Sequence, residues 1–190
     1  FYGIEQDGRR VFMLMDFVDG HSLRQEIFDA TDPFPHSRIL EVMRPVCSAL
    51  SYAHSQGVVH CDVKPANILI DTGGRIQLSD FGISRMSESA TVTLVGAGTP
   101  AYMAPEQVRG MNPNPQTDTY SLGVVLYELL TGRLPCATDR ESPAELRRAI
   151  CDSPPTPPSR LRDLPGAAGF AGDIDTILLK ALARDPGRRY

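Results

Sequence analysis

The sequence predicts an α+β fold that is mostly helical, and three observations carry that prediction. Two hairpin patterns, one over residues 1–18 and one around residues 68–78, supply short strands. Apolar residues at helical spacing dominate 37–55 and 119–131, with shorter helical stretches at 143–151 and 172–183. The chain opens on strands and closes on helices, with no internal repeat and no heptad pattern, which suits an α+β chain.

In the first hairpin, Phe1-Tyr2-Gly3-Ile4 and Val11-Phe12-Met13-Leu14-Met15 flank the turn signal Asp7-Gly8. Asp19-Gly20 breaks the second strand, and Ser22 is expected to cap a short helix to about Ala30. After a loop with two prolines, Ile39, Leu40, Met43, Val46, Leu50 and Ala53 mark a helix that Gly57 stops. Pro45 lies inside it, where a kink or a late start is expected. Ile68-Leu69-Ile70 and Ile76-Gln77-Leu78 form the second hairpin around Gly73-Gly74. Residues 83–99, rich in Ser, Thr, Gly and Ala, read as a long loop. From Thr119 to Thr131 the chain is apolar on most sides, as a buried central helix must be, and Gly132 ends it. A proline-heavy loop leads from the 143–151 helix to the last one.

The bulk properties narrow the function classes. A chain of 190 residues suits one domain, and 42% apolar with 22% charged residues is the ordinary globular range. A net charge of −4 argues against general affinity for nucleic acid or anionic membrane. Four widely spaced cysteines form no CxxC or Cys/His cluster, so reduced cytoplasmic thiols are expected. No apolar run reaches the length of a membrane span, and no membrane contact is expected from this segment.

The chemistry lies in residues 60–82. Asp62 is the candidate base, able to orient and deprotonate a hydroxyl. Lys64, two residues on in an extended loop, reaches the same side and neutralises a phosphoryl group. Asn67 offers a neutral oxygen to a hard cation and Asp80 a charged one. Gly82 after Phe81 lets the backbone turn at the metal. Each residue alone has an ordinary alternative: a turn aspartate, a solvated lysine, a capping asparagine, a core phenylalanine. The weight rests on the whole string, H-x-D-x-K-x-x-N, twelve residues, then D-F-G.

This string resembles the catalytic and metal-binding loops of eukaryotic-like (Hanks-type) Ser/Thr protein kinases. The resemblance covers essentially the whole chain, in a phrasing of bacterial style. It implies a protein-kinase-like fold: residues 1–18 as the end of the N-lobe and hinge, and 19–190 as the C-lobe without its final helix. It implies ATP with Mg²⁺ (or Mn²⁺) as cofactors, and a protein bearing Ser or Thr as substrate. Ala104-Pro105-Glu106 is similar to the motif closing the activation segment, and Gly98-Thr99-Pro100-Ala101-Tyr102 to the peptide-binding loop. Thr99 would then bond Asp62 and Lys64. His60 and Phe81 would support the site, Asp118 would pin the catalytic loop, and Arg189 would pair with Glu106. Asp118 has an alternative as a plain N-cap. Met15 falls at the gatekeeper position, Asp16 to Val18 at the hinge bonding adenine, Ser22 near the ribose, and Leu69 under the adenine.

Two departures qualify the resemblance. No lysine precedes Lys64, and the only G-x-G-x-x-[GA] string, Gly96 to Ala101, has no strand before it or helix after it. The chain is therefore expected to begin after the Gly-rich loop and ATP-anchoring lysine, and residues 1–190 alone are expected to be inactive. The parent protein could carry a membrane anchor elsewhere. The second departure is Cys61, where most of the family has arginine. Cysteine cannot clamp a phosphorylated loop, which marks a non-RD kinase. Thr91 and Thr93 match activation-loop phosphosites, yet Thr91→Ala with Thr93→Ala in the full-length protein is expected to leave activity largely intact. Abolished phosphotransfer would overturn that expectation. The rival functions are a pseudokinase scaffold and an aminoglycoside-type phosphotransferase. Lys64, Asp80-Phe81-Gly82 and Ala104-Pro105-Glu106 speak against the latter.

Overall fold

A computed structural model of the chain describes residues 3–8, 10–81, 100–136 and 142–190. Strands β1 (Gly3–Asp7) and β2 (Arg10–Leu14) pair antiparallel, with Gly3 opposite Leu14 and Asp7 opposite Arg10. Gly8, at φ +58°, takes the left-handed conformation that the Asp-Gly turn requires.

The second sheet has three strands rather than the two of a hairpin. β3 (Gly20–Ser22) joins β4 (Ile68–Asp71), which pairs in turn with β5 (Ile76–Leu78), all antiparallel. Three residues are too short to display alternation, so β3 leaves no signal in the sequence. Gly20 permits the close approach: a Cβ there would lie 1.9 Å from the carbonyl oxygen of Ile70. Gly20→Ala is expected to destabilise the protein by about 1–3 kcal/mol, as overpacking against rigid backbone does. An unchanged urea-unfolding midpoint would contradict this.

Helix α1 (Leu23–Asp29) follows β3 directly. Ser22 precedes it but makes no side-chain cap bond, contrary to expectation. Its backbone is in the β3 ladder opposite Leu69, and the helix start is anchored by Leu23, which is fully buried. Helix α2 (His36–Ser55) runs unbroken past Pro45. Pro45 is on the exposed face, where water can take the carbonyl that the missing N–H leaves unpaired. Gly57, at φ +73°, closes the helix in the left-handed conformation.

The short helix α3 (Pro105–Val108) leads to α4 (Pro115–Thr131). Helix α4 begins four residues before the expected Thr119, because Pro115 occupies the first turn and Asn114 caps it by accepting from the Thr117 N–H at 3.2 Å. Asp118 is therefore not the N-cap. Gly132, at φ +68°, ends the helix as expected. Helices α5 (Pro143–Asp152) and α6 (Asp173–Ala181) complete the set.

The core forms around α4. Its Val124, Val125, Leu129 and Leu130 pack in one cluster with Ile39, Val42, Val46 and Leu50 of α2 and with Leu178 and Leu182 from the α6 end. Apolar contact on several sides of α4 is what its broad hydrophobic surface demands. At Gly123 a Cβ would meet the Ala181 Cβ at 3.0 Å, so α6 packs tightly against the α4 backbone. Among the described residues, no helix is long and apolar enough to cross a membrane.

Candidate functional site

The loop from His60 to Asn67 joins α2 to β4 and lies against the start of α4. Asp118 explains its shape. That side chain is buried in the first turn of α4, and its carboxylate accepts the backbone N–H of His60 (Oδ2, 2.8 Å) and of Cys61 (Oδ1, 2.8 Å). His54, in the last turn of α2, adds a third bond from Nε2 to Oδ2 at 2.7 Å. Three donors and a position in the first helical turn are what a buried carboxylate needs in place of water.

Cys61 is held in the left-handed region at φ +69°, as is Asp80 at φ +65°. Each such residue costs about 1–3 kcal/mol and persists only where surrounding bonds hold it. At Cys61 those bonds are the Asp118 carboxylate on its N–H and the side-chain amide of Gln107, which donates to its carbonyl at 2.7 Å. The Cys61 side chain is buried, and its Sγ lies 3.6 Å from the Val59 carbonyl.

His60 is fully buried and underlies the loop. Its Nδ1 accepts the Asp62 N–H at 3.2 Å, which assigns the ring proton to Nε2, and that atom donates to the Ser79 carbonyl at 2.8 Å. Burial pushes its pKa below the ordinary value, consistent with a neutral ring. Phe81 stacks on it at 4.5 Å between ring centroids, tilted by 50°. Through Ser79 and Phe81, His60 thus ties the 60–67 loop to the segment carrying Asp80.

Asp62 itself is half-exposed. Lys64 Nζ lies 2.7 Å from its Oδ2, and Asn67 Nδ2 donates to the same oxygen at 3.0 Å and to the Asp62 carbonyl at 2.8 Å. Among the described residues both side-chain donors fall on Oδ2, which leaves Oδ1 to accept from an incoming hydroxyl. The two bonds from Asn67 Nδ2 also orient its amide, so Oδ1 is the end turned away from Asp62. A neutral oxygen from Asn67 and a carboxylate from Asp80 fit a hard dication that keeps waters and shares phosphate oxygens. Among the described residues no group of three or more His, Cys, Asp or Glu forms a metal cage of its own.

Two supports of the site are built far from it in sequence. Glu106, at the start of α3, receives both terminal nitrogens of Arg189, at 2.7 and 2.9 Å, and the Thr117 hydroxyl at 2.8 Å. Burial pushes the Glu106 carboxyl up, but the Arg189 and Thr117 bonds outweigh it and hold the group below the usual glutamate range. Arg189 is buried rather than exposed, with its guanidinium 4.9 Å from the centroid of the Tyr120 ring. The second support was missed from sequence. Tyr102, in the turn Pro100–Tyr102, donates to Oε2 of the buried Glu128 in α4 at 2.5 Å, and Arg24 of α1 bonds both Glu128 and Tyr102. This cluster bridges 104 positions of sequence, and no local pattern announces it.

Of the nucleotide candidates, Ser22 and Leu69 are register partners across β3 and β4, so the expected ribose and adenine contacts adjoin. Met15, Asp16 and Val18 lie in the extended stretch between β2 and β3, with Met15 and Asp16 exposed. Gly82, Thr91, Thr93 and Thr99 lie outside the described residues.

Comparison with known proteins identifies the family. The family described as protein kinase domain matches residues 1–190. The chain is 40% identical over 182 residues to the serine/threonine-protein kinase PknB of Mycobacterium leprae, covering 94% of this chain and 28% of that protein. It is 39% identical over 191 residues to the serine/threonine-protein kinase PknL of Mycobacterium tuberculosis, covering 100% of this chain and 46% of that protein. The chain thus spans less than half the length of these curated relatives. Among solved structures, the kinase domain of Mycobacterium tuberculosis PknI superposes with a TM-score of 0.65 at 29% identity, covering 93% of this chain and 58% of that one.

Proposed function

Because this chain belongs to the protein kinase family, matched across residues 1–190, we propose that it forms part of a Ser/Thr protein kinase that transfers the γ-phosphate of ATP to Ser or Thr hydroxyls of proteins. The observation that carries this reading is the Asp62 carboxylate, bonded by Lys64 and Asn67 through one oxygen and, among the described residues, open at the other. Residues 1–18 belong to the end of the N-lobe and the hinge, and 19–190 to the C-lobe.

The transferring phosphoryl group needs positioning and charge stabilisation more than covalent help. Asp62 orients the substrate hydroxyl through Oδ1 and takes its proton. Lys64 holds the carboxylate in place and turns positive charge toward the phosphoryl oxygens. The family resemblance gives Thr99 the role of bonding Asp62 and Lys64 from the peptide-binding side. Asn67 and Asp80 would hold Mg²⁺ (or Mn²⁺), which would neutralise charge on the phosphates. Met15, Asp16 and Val18 meet the adenine edge, Leu69 its face and Ser22 the ribose. Use of ATP goes with a cytoplasmic location for this segment.

The test is phosphotransfer by the full-length protein from γ-labelled ATP with magnesium to a panel of Ser, Thr and Tyr peptides. Label on Ser or Thr peptides supports the reading. Nucleotide binding without transfer to any peptide or to the protein itself would overturn it.

A further inference from the structure

We propose that Gln107 is a positioning residue of the phosphotransfer site, tying the peptide unit that carries Asp62 to the start of α3; this rests on the kinase reading above. The side-chain amide of Gln107 spans two segments. Its Nε2 donates to the Cys61 carbonyl at 2.7 Å, and its Oε1 accepts the Ala104 N–H at 3.0 Å. The Cys61 carbonyl and the Asp62 N–H belong to one rigid peptide plane. Gln107 holds that plane by its oxygen, and His60 Nδ1 holds it by its N–H at 3.2 Å.

The need for the tether comes from the backbone. Cys61 sits at φ +69°, a conformation that a residue with a Cβ leaves readily when its bonds are released. Rotation of the plane between Cys61 and Asp62 would carry the Asp62 side chain with it. Asp118 grips only the N–H of Cys61. Without Gln107, the carbonyl side of the same residue would lose its bond to the 104–107 segment. The amide is neutral, so it joins the catalytic loop to the 104–107 segment whatever the phosphorylation state of the protein. Cysteine at position 61 cannot supply a phosphate-dependent link of that kind. The link is built in rather than switched.

Gln107→Glu separates this role from simple capping of α3. Glutamate keeps an acceptor for the Ala104 N–H but sets a carboxylate against the Cys61 carbonyl, and protonation restores a donor. In the full-length protein at pH 8, Gln107→Glu and Gln107→Ala are expected to lower kcat by about 10- to 100-fold, the scale of a misplaced catalytic group, with KM for ATP unchanged. As the pH is lowered to 6, the kcat of Gln107→Glu relative to wild type is expected to rise, and that of Gln107→Ala to stay flat. Wild-type activity in Gln107→Glu at pH 8, or a loss that does not respond to pH, overturns the assignment. If the wild-type protein transfers no phosphate, the kinase reading fails instead. Hydrogen exchange over residues 60–64 then decides the tether: faster exchange in Gln107→Glu at pH 8 than at pH 6, after correction for intrinsic rates, supports it, and exchange equal to wild type overturns it.

Discussion

Asp62→Asn in the full-length protein is expected to lower kcat for phosphotransfer by about 10²- to 10⁴-fold, the range that a positioned general base contributes. KM for ATP is expected to stay within a few-fold, because Asp62 acts on the acceptor hydroxyl rather than on the nucleotide. Asparagine preserves the size of the side chain but cannot take a proton, and it removes the negative charge on which Lys64 Nζ rests at 2.7 Å. The loop itself is expected to keep its shape. Its backbone is held by Asp118, His60 and Gln107, none of which depends on the Asp62 carboxylate. Steady-state kinetics with a Ser or Thr peptide checks this. A variant within a few-fold of wild type would remove Asp62 from its proposed role.

Arg189→Ala is expected to produce the largest loss of stability, about 3–5 kcal/mol, the cost of leaving one partner of a buried ion pair uncompensated. All five guanidinium N–H groups are used: two on Glu106 and the others on the carbonyls of Ala183, Gln116 and Arg184. Alanine would strand the Glu106 carboxylate and three carbonyls in a site closed to water. Arg189→Lys is expected to rescue little, because an ammonium cannot reproduce the bidentate fork. Urea unfolding of the variants checks both statements, and a midpoint unchanged in Arg189→Ala would refute the first. The pair also sets a pH dependence. The folded pKa of Glu106 lies below its ordinary value of 4.5, so the unfolded chain binds the proton more readily. The stability it contributes is complete above that ordinary value and lost as the pH falls through the folded one.

Much of the fold was legible because its signals are local. Asp7-Gly8 and Gly73-Gly74 specify turns through backbone conformation alone, and the α2 and α4 periodicities specify buried faces. The errors were local as well. Asn114-Pro115 marks the start of α4 better than the first apolar residue does, and Ser22, which looks like a cap, spends its backbone on a strand too short to register. Pro45 did not delay α2, which starts at His36 and runs unbroken through it.

The sequence by itself determined the family and the candidate residues: an aspartate, a lysine and an asparagine that a single loop brings to one place, and a second aspartate just after the hairpin. Chain connectivity enforces such short-range geometry, so a motif can carry it. Only the tertiary structure decided what holds that loop. Asp118 meets it from α4 with His54 of α2 bonded to its carboxylate, Gln107 reaches the Cys61 carbonyl across 46 positions, and Arg189 buries itself on Glu106 across 83. These contacts depend on how the helices pack against one another. A hydrogen bond between distant residues leaves no periodicity behind, because either partner alone reads as an ordinary polar side chain.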